Sequence, residues 1–293
     1  MRDVTEMRFF RIGLGLVLGC AALGVWLGFA GRLHPIGDSV SLFRIVLGLV
    51  CLLGCLWQIG LIWRAALGLT AAAALLTTLP LFWGSGADGE LSVYSKNLWY
   101  RNDQVAAVAA DMRESGAEVI ALQEVSGRNL PLLAALSDTH PFQHLCRFAG
   151  WSGVAVLSKH PITDQTCSDR RGIAVARIDH EGEYVWVGSV HLKWPFPYAN
   201  AHSSRAVKDV LSGLDGPVVL AGDFNIFPWA NSVRQLQRSA NMQAAQPIRP
   251  TFSLRGTPLF LDHVHAPGGG SATYRDLLGS DHMGVLAQVR LSR

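Results

Sequence analysis

The 293-residue sequence predicts three membrane-spanning helices followed by an α/β domain, built as two packed sheets with flanking helices. Three observations lead there. Residues 12–30, 45–63 and 65–87 contain no Asp, Glu, Lys or Arg. From residue 90 onward, strand-like runs alternate with helical ones. Several strand-like runs between Gly153 and His191 follow one another directly, which favours long antiparallel sections over a purely parallel, doubly wound sheet.

The apolar runs come first in the chain. A helix needs about 20 apolar residues to cross the hydrocarbon layer, and soluble helices of that length carry a polar face. Spans are therefore expected at about residues 10–30, 44–63 and 65–84, giving a transmembrane region over 1–88 and a catalytic domain over 89–293. The first run is longer than a signal-peptide core and further spans follow, so an uncleaved helix is expected. Leu18, large for a lipoprotein cleavage site, and the apolar stretch beyond Cys20 argue against lipidation.

Arginine placement sets the expected topology. Arg2, Arg8, Arg11 and Arg64 fall on one side of three spans, Arg32 and Arg44 on the other. The positive-inside rule then puts the N-terminus in the cytoplasm and the domain after residue 88 outside it. The connector Gly84–Gly89 has the composition of a short flexible linker. Of five cysteines, only Cys146 and Cys167 lie beyond the spans. An external compartment permits a disulfide between them, and two free thiols fit equally well.

Within the second part, strands are expected at Leu91–Leu98, Val119–Gln123, Gly153–Leu157, Ile173–Ile178, Tyr184–His191, Val218–Ala221, Leu259–Val264 and Val285–Leu291. Helices are expected at Gln104–Glu114, Asn129–Leu136, Ala201–Leu214 and Ala230–Ser239. Polar residues punctuate the strand ends. Val119–Leu122 runs into Gln123-Glu124, Val218–Ala221 into Gly222-Asp223-Phe224-Asn225, and Leu259–Leu261 into Asp262-His263. Ser280-Asp281-His282 precedes the last strand, another strand ends in His191, and the first contains Asn97. Carboxylates beside buried strands need a partner or a metal. Hard oxygen donors without a Cys/His cage suit Mg²⁺ or Mn²⁺. Such an ion, an ionised Asp and one or two histidines are what phosphoester hydrolysis requires.

Seven segments, taken in order, carry a resemblance: Ser95-Lys96-Asn97, Gln123-Glu124, Gly153–Lys159, Val190-His191-Leu192, Gly222–Asn225, Leu261–Val264 and Ser280-Asp281-His282. With them, residues 90–293 resemble the endonuclease/exonuclease/phosphatase superfamily and its DNase I-like two-sheet α/β sandwich. Ile226–Trp229 and Pro250-Thr251-Phe252 look like the superfamily's membrane-tethered bacterial branch. The resemblance implies a metal site of Glu124, Asp281 and Asn97. It implies that Asp223 orients or deprotonates water, that Asn225 stabilises developing charge and that His191 faces the phosphate. It makes His282 the catalytic histidine and Asp262 the carboxylate that holds it. His263 and His265 have no counterpart and are expected to be structural.

Charge bears on the substrate. Residues 89–293 hold 19 Lys+Arg against 18 Asp+Glu, without the basic surface that tracks a nucleic-acid backbone. The loop Trp194–Tyr198 adds aromatic surface of the kind found at membrane interfaces. Three functions remain open at this point: a phosphatase or phosphodiesterase acting on a lipid-linked phosphate at the bilayer, an external nuclease for DNA or RNA, and a non-catalytic membrane scaffold. The intact polar set speaks against the last.

Overall fold

The computed structural model describes residues 2–57, 60–84, 89–168 and 172–292. The chain divides into two compact units: Met1–Pro80 with Trp229–Asn231, and Leu81–Pro228 with Ser232–Arg293.

The first unit is helical, with α1 (Arg2–Phe29), α2 (Ile36–Ser41), α3 (Arg44–Gly54) and α4 (Leu61–Leu76). Helices α1, α3 and α4 share a small buried cluster of Leu18, Ala21, Cys51, Leu67 and Ala71. A Cβ on Gly48 would stand 2.7 Å from the Ala74 methyl, so glycine is what lets α3 approach α4. Outside this seam the surface is apolar: Leu53, Ile62, Leu69 and Leu76 are between 66% and 83% exposed.

The expected three uninterrupted spans are corrected here. Among the described residues, only Glu6–Arg32 and Leu61–Phe82 are long and apolar enough to cross a membrane, by length and composition. The run 45–63 instead forms the 11-residue α3, about 16 Å long against a hydrocarbon core of about 30 Å. Its helix stops at Gly54, where Leu18 of α1 leaves no room for a Cβ. The backbone turns at Cys55-Leu56, and Arg64 Nε donates to Trp57 O.

The second unit contains β1 (Leu91–Asn97), α5 (Val105–Ser115), β2 (Val119–Val125), α6 (Pro131–Ala135), β3 (Phe142–Cys146), β4 (Gly153–Ser158), β5 (Ile162–Cys167), β6 (Ile173–His180) and β7 (Glu183–His191). It continues with α7 (Asn200–Leu211), β8 (Val218–Asp223), α8 (Asn231–Ser239), β9 (Gln243–Gln246), the small hairpin β10 (Phe252–Leu254) and β11 (Thr257–Leu259), then β12 (Asp262–Ala266), β13 (Gly270–Arg275) and β14 (Gly284–Val289). Twelve strands form one hydrogen-bonded order, β3-β4-β2-β1-β14-β13-β9-β12-β8-β7-β6-β5. It folds into two layers, six strands each, joined where β13 runs parallel to β9.

Period-two alternation explains the layers. On β1, Val93 enters the cluster shared with Val187, Val219 and Val264 of the opposite layer, while Tyr94 faces Val108 and Met112 of α5. Both faces of β1, β2 and β4 are covered, which is why β2 and β4 read as nearly continuous apolar runs, while β1 buries Ser92, Ser95, Lys96 and Asn97 as well.

Every expected strand forms except that Leu259–Val264 breaks in two, at Phe260-Leu261, because β11 pairs with β10 and β12 pairs with β8. Strands β3, β5, β9, β10 and β13 were not expected. β5 is an exposed edge strand of mixed polarity, so no burial pattern marks it. Cys146 and Cys167 are joined by a disulfide between β3 and β5. The linker reading is corrected at Gly84, where a Cβ would lie 2.6 Å from Pro247. Leu81 O accepts from Ile248 N at 2.8 Å, and Phe82 packs edge-on against Phe260. The rest of that connector, residues 85–88, lies outside the described residues.

Candidate active site

Strand direction gathers the polar residues. β1 and β2 are parallel, with Asn97 opposite Gln123 and Glu124 one residue beyond. β7 and β8 are parallel, with His191 opposite Asp223, and β12 runs antiparallel to β8 with Asp262 opposite Asp223. His282 lies just before β14, which pairs antiparallel with β1. The C-terminal ends of four strands and the starts of two others thus meet at one end of the sandwich.

Local backbone chemistry aims the side chains. Gly222 has φ 150°, and a Cβ there would fall 2.0 Å from Val190 O; only glycine allows β8 to pass β7 so closely. Asn225 and Glu124 take left-handed conformations with φ 51° and 55°, a cost tolerated where the surroundings over-determine the conformation. Asn225 Nδ2 donates to Leu192 O and to Asp223 Oδ2, at 2.9 and 3.2 Å, and its N–H donates to Asp223 Oδ1 at 2.8 Å.

Asp223 Oδ2 is the meeting point. Asn97 Nδ2 donates to it at 3.0 Å, His191 Nε2 stands 3.6 Å away and His282 Nε2 3.9 Å away. Asn97 Nδ2 also lies 3.4 Å from Glu124 Oε1, and Tyr100 N–H donates to Glu124 Oε2 at 3.0 Å. Asp262 Oδ2 and His282 Nδ1 are 2.7 Å apart, which leaves His282 Nε2 facing the cavity side. Asp281 is exposed at the rim. All eight residues expected from the sequence lie at this one end.

Electrostatics follow burial. Desolvation drives the Asp223 carboxyl well above the usual carboxylate range, opposed by His282 and the amide donors. Desolvation also raises Glu124, with the Tyr100 and Asn97 hydrogen bonds pulling the other way. For His282, burial works against the charged form, but the carboxylates of Asp262 and Asp223 prevail and lift it above its ordinary value. Among the described residues, no Lys or Arg forms an ion pair with Glu124, Asp223 or Asp262.

Sequence reasoning passed over several contributors. Buried Lys96 donates to the carbonyls of Asp276 and His282, both at 2.9 Å, and burial lowers its pKa to about 8. Ser280 Oγ donates to Asn97 O and accepts from His282 N–H. Lys96 and Ser280 both stand inside the quoted motifs, so position was the available signal. The Phe252 ring lies 4.7 Å from that of His282. A cavity of about 640 Å³ opens over the site, walled by Trp151, Trp194, Tyr198 and Phe252 with Lys193 beside them. His263 and His265 are buried away from it, His263 stacked on Phe224 and His265 bonded to Gln237.

The model of the Endonuclease/Exonuclease/phosphatase family matches residues 93–282, which span all of these positions. The chain belongs to that family. It is a hydrolase of phosphoester bonds, carried on the family's α/β sandwich. An endonuclease/exonuclease/phosphatase from Bacteroides vulgatus aligns with TM-score 0.56 at 15% identity, covering 67% of this chain and 97% of that one. Sphingomyelinase C from Streptomyces griseocarneus aligns at 0.52 and 18%, covering 68% and 99%. A beta toxin variant from Staphylococcus aureus, with bound magnesium ions, aligns at 0.54 and 15%, covering 69% and 100%. No curated protein sequence matches the chain. At these identities the neighbours share the fold.

Proposed function

We propose that this family member is a membrane-anchored, Mg²⁺- or Mn²⁺-dependent phosphoesterase that hydrolyses a lipid-linked phosphate or pyrophosphate. The observation that carries the chemistry is the convergence of two amides and two histidines on one buried carboxylate oxygen, Asp223 Oδ2.

The donor set fits a hard divalent ion. Glu124 and Asp281 line the cavity, and no Lys or Arg among the described residues pairs with Glu124. Asn97 turns its Nδ2 toward Glu124 and Asp223 while its Oδ1 accepts from Trp99 N–H, so it supports the carboxylates rather than offering an oxygen to the ion. Asp223, Asp262 and His282 also approach closely enough to share an ion. Asp262, however, is buried and already engaged by His282, so the cavity-facing carboxylates are the better donors. When bound, the ion would supply charge neutralisation on the phosphoryl oxygens.

The chain's own groups supply the rest. Asp223 orients the attacking water and accepts its proton, a role its raised pKa suits. Asn225 and His191 stabilise charge on the phosphoryl oxygens. His282, held by Asp262, hydrogen-bonds the phosphate or protonates the leaving oxygen.

Membrane anchoring rests on two long apolar helices whose most apolar windows are only 22% and 28% buried; a soluble core helix would be covered. Leu81 and Phe82, at the end of the second, bond within the sandwich unit. Aromatic walls suit a headgroup-level substrate, and one fold neighbour is named a sphingomyelinase. The Cys146–Cys167 disulfide supports an oxidising, extracytoplasmic compartment. A C-terminal reporter active only in the cytoplasm would reject it.

The deciding assay presents full-length protein and Mg²⁺ with lipid phosphates in vesicles, soluble phosphomonoesters and plasmid DNA. Fastest turnover on the vesicle substrate is expected. Efficient DNA cleavage with lipid phosphates untouched would install the nuclease reading instead, the same aromatic walls then serving as base-stacking platforms.

A further inference from the structure

At the opposite end of the sandwich a second polar group spans both layers. Glu118 immediately precedes β2, His160 lies in the turn after β4, and His180 ends β6. Glu118 Oε1 and His160 Nε2 are 3.1 Å apart, His160 Nε2 and His180 Nδ1 3.3 Å, and His180 Nδ1 and Glu118 Oε1 3.8 Å. We propose that Glu118, His160 and His180 form a binding site for a Zn²⁺-class transition-metal ion, separate from the candidate active site, which clamps the two sheet layers together.

Three features carry this. The first is spacing. Tetrahedral zinc with bonds of about 2.0–2.1 Å sets neighbouring ligand atoms about 3.3–3.4 Å apart, and the three separations bracket that value. The second is pre-orientation from outside the triangle. Glu90 O can only accept, so His180 Nε2, 3.0 Å away, carries the proton and Nδ1 presents its lone pair inward. Ser92 N–H and Oγ–H both donate to Glu118 Oε2 at 2.9 Å, which turns Oε1 toward the histidines. Such outer partners are what fix ligands in metal sites. The third is a shortage of protons. With His180 Nδ1 unprotonated and Glu118 a carboxylate, neutral His160 supplies through Nε2 at most one N–H for two inward-facing acceptors, and in its other tautomer none for three. A cation at the centre satisfies all three. Two imidazoles with one carboxylate favour Zn²⁺ over Mg²⁺. Glu118 and His160 are part-exposed, so a water can take the fourth position.

The other cluster of this kind outside the candidate active site, His144 with Cys146 and Cys167, is different, because both its sulfurs are tied in the disulfide.

The test uses full-length protein stripped with chelator, then given limiting Zn²⁺ in excess Mg²⁺, which competes for the hard-oxygen site. Zinc retained after desalting should be about one ion per chain higher in the unmodified protein than in His160→Gln. Zn²⁺ should raise the unfolding midpoint of the unmodified protein by about 5–10 °C and that of His160→Gln far less. Equal zinc content in the two proteins, or none in the unmodified one, overturns the proposal. Should His160→Gln not fold, Co²⁺ substitution in the unmodified protein decides the matter. The intense visible absorption of four-coordinate Co²⁺ is expected, and only a weak six-coordinate spectrum overturns the site.

Discussion

Both ends of the sandwich gather carboxylates and histidines across the two sheet layers, yet the carboxylates are held on different terms. At the end carrying Glu118, burial is outweighed by the Ser92 and His160 hydrogen bonds, and the carboxyl is held below its usual range. At the end carrying Asp223 and Glu124, burial wins over several donors and both carboxyls are pushed up. One oxygen of Asp262 has no hydrogen-bond partner at all. A carboxylate stabilised in its charged form is inert toward protons near neutrality; one raised toward neutrality can take and return them. The two ends therefore differ in how burial is compensated rather than in residue type, which supports the role proposed for Asp223.

The widest test of that contrast is metal removal. Chelation should abolish hydrolysis and Mg²⁺ or Mn²⁺ should restore it, because Glu124 and Asp281 offer the cavity a hard-oxygen site. Undiminished hydrolysis in excess EDTA would show that these carboxylates serve another purpose. Next in size, Asp223→Asn should keep the circular-dichroism spectrum and lose at least about 100-fold in turnover, the scale of general-base help. A variant turning over at near the original rate would remove Asp223 from that role.

A smaller effect separates contact from positioning. Asp262→Ala should cost less than His282→Ala, since it acts through the histidine. It should also shift the alkaline limb of the pH profile to lower pH, because against burial its carboxylate is what lifts His282. An equal or larger loss with an unmoved profile would place Asp262 against substrate or ion directly. The smallest expected effect concerns stability. Burial lowers His140 to about 4, against the hydrogen bond it shares with Ala117 O. Its neutral form is favoured in the folded state, so the unfolded chain binds the extra proton first. The resulting stability is complete above about pH 6.5 and is lost as pH falls toward 4. His140→Gln should flatten the fall in unfolding midpoint over that window, and an unchanged slope would assign the acid sensitivity elsewhere. Burial holds His263 down to about 4 as well, at the reactive end, so a residual slope is expected.

Much of this was legible before any coordinates, for local reasons. Strands covered on both faces announce themselves as apolar runs, and β2, β4, β6, β7, β8 and β14 are legible from them, while β1 is marked by the alternating Leu91 and Val93 with Tyr94 beside them. The candidate site was equally readable, because each of its residues sits at the end of such a run, and a strand end is a local property. Gly222 needs no partner in the sequence to be recognised beside Asp223; its role in letting β8 pass Val190 required the pairing to be seen.

Other features depend on groups that are far apart in the chain. Nothing local marks Glu118, His160 and His180 as neighbours, since they meet only because β2 starts, and β4 and β6 end, on the same side of two facing layers. The pairing of Cys146 with Cys167 depends on an edge strand, β5, whose mixed polarity gives no period. The apolar run 45–63 carried the composition of a span, whereas its helix α3 ends at Gly54, packed against Leu18 of α1. By itself, the sequence determined which residues seek burial and which strand ends carry chemistry, because those follow from composition and period. Only the tertiary structure decided which polar groups share a proton, what α3 packs against and where Lys96 and Ser280 lend support, because each depends on contacts that the chain makes far from the residue concerned.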